Sequence, residues 1–346
     1  MLGCVLLLMR HQDLLHVEPH AAGEQQRDQQ SETGEPGQFG ASTAPPHVTT
    51  YPGLSRLKAR IATSALIGTA TATFCTFLLQ HFHQGAADFT WTLRLSEHLL
   101  RRENPYLTPL EQYPLFAGFV GLPFLALSPE WAAGAFYGLS AGVLAFGLSR
   151  ESWHRLLVLL AYPFWAGILA AQWAPILTAA AFFPLLLPVT LMKPQVGLPI
   201  AVTHFTRRGM LVCAIVIAAS LAIMPRWPWW WLHQLGNYQH FIPMWVWPGP
   251  LLGLALIRYR QREAWLLLTA ALMPQRWFFD AFTLWLIPKS RREIILTCAL
   301  SWGAGIWRWY YAPHNFTEVG RVAVIFLYLP MLVVVLWPSK LDPSEA

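Results

Sequence analysis

The sequence predicts an all-α, polytopic integral membrane protein: a bundle of about 9–12 transmembrane helices with one amphipathic helix in its first outer loop. Three observations carry this. First, of 346 residues 55% are hydrophobic and only 12% are charged, roughly half the charge of a soluble domain. Second, runs such as Ile61–Leu79 and Gly320–Trp337 hold few or no charges and approach the roughly 20 residues that cross a bilayer. Third, the basic residues sit in small clusters between apolar runs: Arg56/Lys58/Arg60, Arg207/Arg208, Arg258/Arg260/Arg262 and Lys289/Arg291/Arg292. That is the pattern of the positive-inside bias. The net charge of +6 comes from these clusters, so the partner it implies is a lipid bilayer and not nucleic acid. The 18 tryptophans fit aromatic belts at the two membrane interfaces. Four cysteines without a C-x-x-C point to neither a disulfide framework nor a zinc site.

In chain order, Met1–Met9 is apolar but too short to span and lacks a basic n-region. The stretch to residue 53 is rich in Gln, Glu, Gly, Pro and Ser and predicts a disordered N-terminal extension. The transmembrane domain then runs over 54–340, with a short cytoplasmic tail at 341–346. Arg56, Lys58 and Arg60 precede the first span, which places the N-terminus in the cytoplasm and the loop after Leu79 outside. The membrane is the plasma (inner) membrane, crossed many times. Further spans are expected at Tyr113–Leu127, Trp131–Leu148, Leu156–Ala171, Ala174–Leu191, Met210–Met224, Ile294–Tyr310 and Arg321–Trp337. A simple count puts Arg150 and Arg155 outside, against the bias. Either Tyr113–Leu148 is not two full crossings or those arginines serve the outer side. Pro225–Pro250, dense in aromatics, is placed outside with Asp88. Lys340 falls inside.

The long polar interruption after the first span, Asp88–Pro114, holds Asp88, Glu97, Glu103 and Glu111 beside Arg94, Arg101 and Arg102. Phe89, Leu93, Ser96, Leu99 and Leu100 fall on one helical face and the charges largely on the other, an amphipathic helix along a membrane surface. Asn104-Pro105-Tyr106 ends it, because proline disfavours helical geometry in the residue before it.

These residues carry a resemblance. An acidic residue past the first span, an amphipathic helix, Asn104-Pro105-Tyr106, then Tyr113-Pro114 and, later, Lys193-Pro194-Gln195 resemble membrane glycosyltransferases of the GT-C fold. Closest is the polyprenol-phosphate-mannose-dependent mannosyltransferase-like family, glycosyltransferase family 87. Ala171-Gln172 matches in part the glutamine motif of that family. The resemblance implies a GT-C-like domain that moves a sugar, such as mannose, from a polyprenyl-phosphate sugar donor to a glycolipid or cell-envelope glycan acceptor on the outer face. It also implies an inverting single displacement with Asp88 as the catalytic base and no cofactor.

Such chemistry needs a base for the acceptor hydroxyl, positive groups for the leaving phosphate and a groove for the lipid tail. Asp88 suits the first; its other reading is the N-cap of the following helix. For the phosphate the candidates are Arg94, Arg101, Arg102, Lys193 and Arg276. Lys193, in an apolar stretch, marks a functional site unless it snorkels to the interface. Asp280 is placed to neutralise Arg276. Asn104, Tyr106, Tyr113, Gln172 and Gln195, with Asn237, Tyr238 and His240, could bind sugar hydroxyls. Trp173 and Trp229–Trp231 either stack on a sugar or belong to a belt. His81 and His83 are too few ligands for a metal, so no metal is expected. Two other classes remain open: a transporter or flippase, and a catalytically silent relative with a structural role.

Overall fold

The computed structural model describes residues 52–107, 112–237 and 239–337. The N-terminal extension, Cys4, Glu111, Tyr238, the Asn237 side chain, Lys340 and the tail at 341–346 lie outside the described residues. The chain divides into Met1–Ser55 and Arg56–Ala346. Of the first unit only Pro52–Ser55 is described, as the start of a helix; the architecture below is that of the second.

Among the described residues the secondary structure is helical, with no strand; a lone bridge pairs Phe241 with Gln275. The first helices are α1 (Pro52–His81), α2 (Phe89–Arg101), α3 (Phe116–Gly121) and α4 (Pro129–Glu151). Two of the three described helices long and apolar enough to cross a membrane lie in α1 and α4. They pack antiparallel through small residues, which let helix backbones approach closely. Gly134, Gly138 and Gly142 recur every fourth residue along α4. A Cβ at Gly138 would sit 2.4 Å from the Ala72 Cβ and 2.5 Å from the Gly68 carbonyl oxygen. At one end Arg60 donates to Ser149 Oγ (3.2 Å) and the Phe146 carbonyl (3.0 Å). At the other, Thr76 donates to the Glu130 carbonyl (3.4 Å). The bundle thus has an Arg60 end and an Asp88 end.

These contacts decide between the two readings of residues 113–148. The segment from Tyr113 to Ser128 begins and finishes at the Asp88 end. It holds only the six-residue α3 and a 3-10 turn at Leu122–Phe124, so it turns back at that end of the bundle. α4 then runs the length of α1 and delivers Arg150 and Arg155 to the Arg60 end. There the Arg155 guanidinium donates to the Pro288 and Trp285 carbonyls, beside Lys289. The basic clusters gather at one end, as the positive-inside pattern requires.

Next come α5 (Tyr162–Ile168), α6 (Ala174–Ala179), α7 (Pro194–Thr203), α8 (Arg207–Ile223), α9 (Trp227–Gln234), α10 (Arg262–Leu272), α11 (Arg291–Tyr310) and α12 (Phe316–Leu336). Several expected spans are broken. Prolines head α5, α6, α7 and the 3-10 segment Pro184–Leu191, and Pro188 and Pro199 lie inside their segments. Those at the heads start new helices, where proline is tolerated, and the two inside remove a backbone donor and crowd the preceding turn. α12 is the third helix of spanning length, and α8 with α9 forms a fourth only as a pair bent by 97°. Leu66, Phe77, Leu211, Ile215, Leu296 and Ile306 stand exposed on α1, α8 and α11, apolar faces suited to lipid.

The amphipathic helix forms, but its buried face is rotated from the sequence pattern. Phe89, Thr92, Leu95, Ser96 and Leu99 are buried, whereas Leu100 is 65% exposed. The reason is α3: Ser96 Oγ donates to the Gly118 carbonyl (2.7 Å), and a Cβ at Gly121 would fall 2.2 Å from that hydroxyl. Small polar side chains and glycines make this helix contact, so hydrophobicity alone misplaces it.

Candidate functional site: a buried charge relay beside an apolar cleft

Asp88 stands at the N-cap of α2 but makes no capping hydrogen bond. Its backbone N–H donates to the Ala170 carbonyl (3.1 Å), and its carboxylate Oδ2 accepts from Gln172 Nε2. Gln172 is fully buried, and its Oε1 accepts from Lys193 Nζ at 2.8 Å. The same ammonium donates to Asp280 Oδ1 at 2.6 Å, and Asp280 Oδ2 accepts from the Arg276 backbone N–H at 3.0 Å. Lys193 also lies 5.1 Å from the Phe279 ring centroid. The result is one unbroken chain, Asp88–Gln172–Lys193–Asp280, assembled from four separate stretches of sequence.

The backbone is strained at both ends of the first link. Ala87 (φ 47°) and Ala171 (φ 47°) are left-handed, and they immediately precede Asp88 and Gln172. For a residue with a Cβ that costs about 1–2 kcal/mol, a type of strain that clusters at functional sites.

Burial pushes the Asp88 carboxyl above its ordinary value of 3.8. Lys193, the Gln172 hydrogen bond and Arg276 pull it down, and Asp280 adds to the rise. A carboxylate whose proton affinity is raised while it still faces cations is suited to accept a proton.

Two cavities meet this chain. A small one, about 20 Å³, is lined by Asp88, Tyr113, Lys193, Gln195 and Arg276, with Phe279 behind them. A cleft of about 1100 Å³ runs past the same wall. It is lined by Phe74 and Leu78 of α1, Phe82 just after it, Trp302 and Trp309 of α11, and Ala170 and Trp277–Phe279. Among the described residues lining the cleft, Arg308 alone carries a charge; its guanidinium lies 5.9 Å from the Trp277 ring centroid. Asp88 therefore hangs on a strip, Ile168–Ala170, that is also a cleft wall.

Five of the sequence-predicted residues beside Asp88 converge here: Gln172, Lys193, Gln195, Arg276 and Tyr113. Two do not. Arg94 is exposed on α2. Asn104 is spent locally, its Oδ1 accepting from the Tyr106 N–H (3.0 Å). Tyr106 is one step removed, donating to the Tyr113 carbonyl (3.1 Å) and accepting from Gln234 (2.7 Å). Lys193 is not poised for a phosphate, because its ammonium is sealed between Gln172 and Asp280. Asp280 does not neutralise the Arg276 side chain; it takes Lys193 and the Arg276 backbone. The Arg276 Nε is buried without a hydrogen-bond partner. Arg101 and Arg102 are exposed, and Glu103 meets His98 at 3.3 Å.

The Lys193–Asp280 pairing was readable in principle, since a carboxylate inside FFDAFTLWLI is as costly as the lysine and each needs a partner. Arg308 and Trp277 carry no signal of their own in the sequence: each lies among other aromatic and basic residues, and only the fold brings them to one cleft. Among the described residues no three His, Cys, Asp or Glu side chains group as a metal ion would need. Comparison with family models, with curated proteins and with solved structures finds no match for this chain.

Proposed function

We propose that the protein is a membrane glycosyltransferase that moves a hexose, such as mannose, from a polyprenyl-phosphate donor to a glycolipid or envelope-glycan acceptor. In this reading the chain crosses the plasma membrane about 9–12 times, with the Arg60 end cytoplasmic and the Asp88 end outside. The observation that carries it is the Asp88 carboxylate, its proton affinity raised by burial, in a small cavity that shares Phe279 with a large apolar cleft lined by a single cation. The likeness of Asp88, Asn104-Pro105-Tyr106, Tyr113-Pro114 and Lys193-Pro194-Gln195 to glycosyltransferase family 87 supports the same reading.

Each part has a role in this reading. The isoprenoid tail lies in the cleft, its phosphate drawn to Arg308 and Arg276. Asp88 takes the proton of the acceptor hydroxyl as that oxygen attacks the anomeric carbon. The bond from that carbon to the phosphate oxygen breaks, the electron pair leaving with the phosphate, where the guanidinium groups stabilise it. Attack opposite the leaving group inverts the anomeric centre. Gln172 and Lys193 position Asp88.

The cleft with its lone cation also suits a lipid flippase, which would need no base. Sugar transfer by purified protein in lipid, from radiolabelled polyprenyl-phosphate mannose to an envelope-lipid extract, separates the two when wild type is set against Asp88→Asn. Transfer that vanishes in a folded variant supports the enzyme. Undiminished transfer removes Asp88 as base. Lipid translocation without transfer, equal in both proteins, favours the flippase.

A further inference from the structure

A second pocket shares Trp277 with the cleft. It measures about 340 Å³ and is formed by Trp277, Phe316, Val319, Gln239, His314 and Asn315, a size within the usual range of about 300–1,000 Å³ for small-molecule sites. Trp277 is common to this pocket and the cleft, and its neighbour Arg276 lines the small cavity with Asp88. All three spaces therefore meet along Arg276–Phe279.

The pocket is built on fixed backbone. Phe241 and Gln275 exchange two hydrogen bonds (2.8 and 2.7 Å), which sets Gln239 and Trp277, each two residues away, on facing sides. Opposite, Asn315 Oδ1 caps α12 by accepting from the Glu318 N–H (2.9 Å), and Glu318 Oε2 accepts from the His314 N–H (3.0 Å). The floor is aromatic, with Trp277 and Phe316 edge to face at 6.0 Å. The rim carries an amide and an imidazole, groups that both donate and accept.

From this we infer that the pocket binds a saccharide: a pyranose ring laid by its C–H face on Trp277, its hydroxyls met by Gln239 and His314. The inference deepens the proposed function, on which its catalytic part rests: the acceptor is recognised through a sugar ring presented at Trp277, while the donor lipid lies in the cleft that the same indole also lines. A lipid tail would not use the polar rim, and a phosphate would find no cation among the residues named.

Saturation-transfer NMR on the detergent-purified protein tests binding without any assumption about transfer. The probes are methyl α-mannoside, methyl α-glucoside and a mannobiose at millimolar concentration. Wild type and Trp153→Ala, an exposed tryptophan at the Arg60 end, should both show transfer to at least one probe. Trp277→Ala should abolish it, and the rim variants His314→Ala and Gln239→Ala, which remove no core contact, should weaken it. Signal that survives in Trp277→Ala and His314→Ala alike, or no signal with any probe in wild type, overturns the inference. In the transfer assay Gln239→Ala, at a residue that lines the pocket and not the cleft, should raise the acceptor KM severalfold with the donor KM unchanged. Saccharide binding at Trp277 without sugar transfer would remove the glycosyltransferase and leave the pocket. Transfer with an unchanged acceptor KM would do the reverse.

Discussion

Replacing Lys193 with methionine is the sharpest test of the buried chain. The Lys193 side chain is 6% exposed and that of Asp280 is 1% exposed. At their 2.6 Å separation, two unit charges attract by about 6 kcal/mol at an effective dielectric of about 20. Desolvation of both ions offsets most of that, so the intact pair adds little net stability. Removing one partner is different: Asp280 keeps its desolvation cost and retains only the Arg276 N–H, and Gln172 Oε1 loses its donor. Breaking such a pair costs about 3–5 kcal/mol, and we expect Lys193→Met to lose that much. Adding Asp280→Asn removes the stranded charge while keeping an acceptor for the Arg276 N–H, so the double variant should recover most of the loss. Denaturant unfolding of the purified protein in mixed micelles, followed by circular dichroism, measures all three. If Lys193→Met unfolds with wild type, or the double variant is no more stable than the single, the pair is not the closed, dry contact described.

Three further outcomes follow. Because burial raises the Asp88 carboxyl above 3.8, the transfer rate should fall with decreasing pH through a limb above the ordinary aspartate range. For the same reason the ionised form costs stability, so Asp88→Asn should be more stable than wild type at neutral pH, with the gap closing as the pH falls. A rate limb at or below 3.8 would contradict the burial. Arg308→Gln should raise the KM for polyprenyl-phosphate donor severalfold and leave saccharide binding at Trp277 intact, read by donor titration; equal affinities would take Arg308 out of the phosphate site. Gly138→Ala places a methyl against Ala72 and the Gly68 carbonyl, and should destabilise the α1–α4 contact by about 1–3 kcal/mol, the usual cost of overpacking, seen as a lower midpoint in the same unfolding assay.

What the sequence discloses divides by the range of the physics. Apolar runs and basic clusters are local signals, so the helical class, α1, α4 and α12 are legible. So are Asp88 and Lys193, each conspicuous as a charge in its own stretch. The link between them is not. Gln172 reads as a boundary amide, and only the fold shows it spanning Asp88 and Lys193. Leu93 and Leu100 belong to the apolar face by pattern along with Ser96, whereas the close contact with the glycines at positions 118 and 121 takes Thr92, Leu95 and Ser96. The turned-back segment at 113–128 was hidden because length and hydropathy do not report direction; the misplaced arginines were its trace.

The same cluster shows why its residues are held as they are. A buried ion pair contributes little net stability. Two left-handed alanines cost about 1–2 kcal/mol each. A carboxylate with its proton affinity raised by burial destabilises the fold when ionised. None of these terms stabilises the fold, and all converge on the few residues from Ala87 to Asp88 and Ala171 to Gln172 with Lys193 and Asp280. Glycine at the two left-handed positions and apolar residues in place of the buried charges would remove these costs. Strain inferred from observed backbone outliers points to function, and here the outliers immediately precede Asp88 and Gln172, the first link of the buried chain. If Gln172 positions Asp88 for proton transfer, Gln172→Leu should lower kcat with little change in donor KM and shift the acid limb of the rate to higher pH, because it removes a hydrogen bond that favours the ionised carboxylate. A purely structural glutamine would lower the yield of folded protein and leave the pH profile where it was.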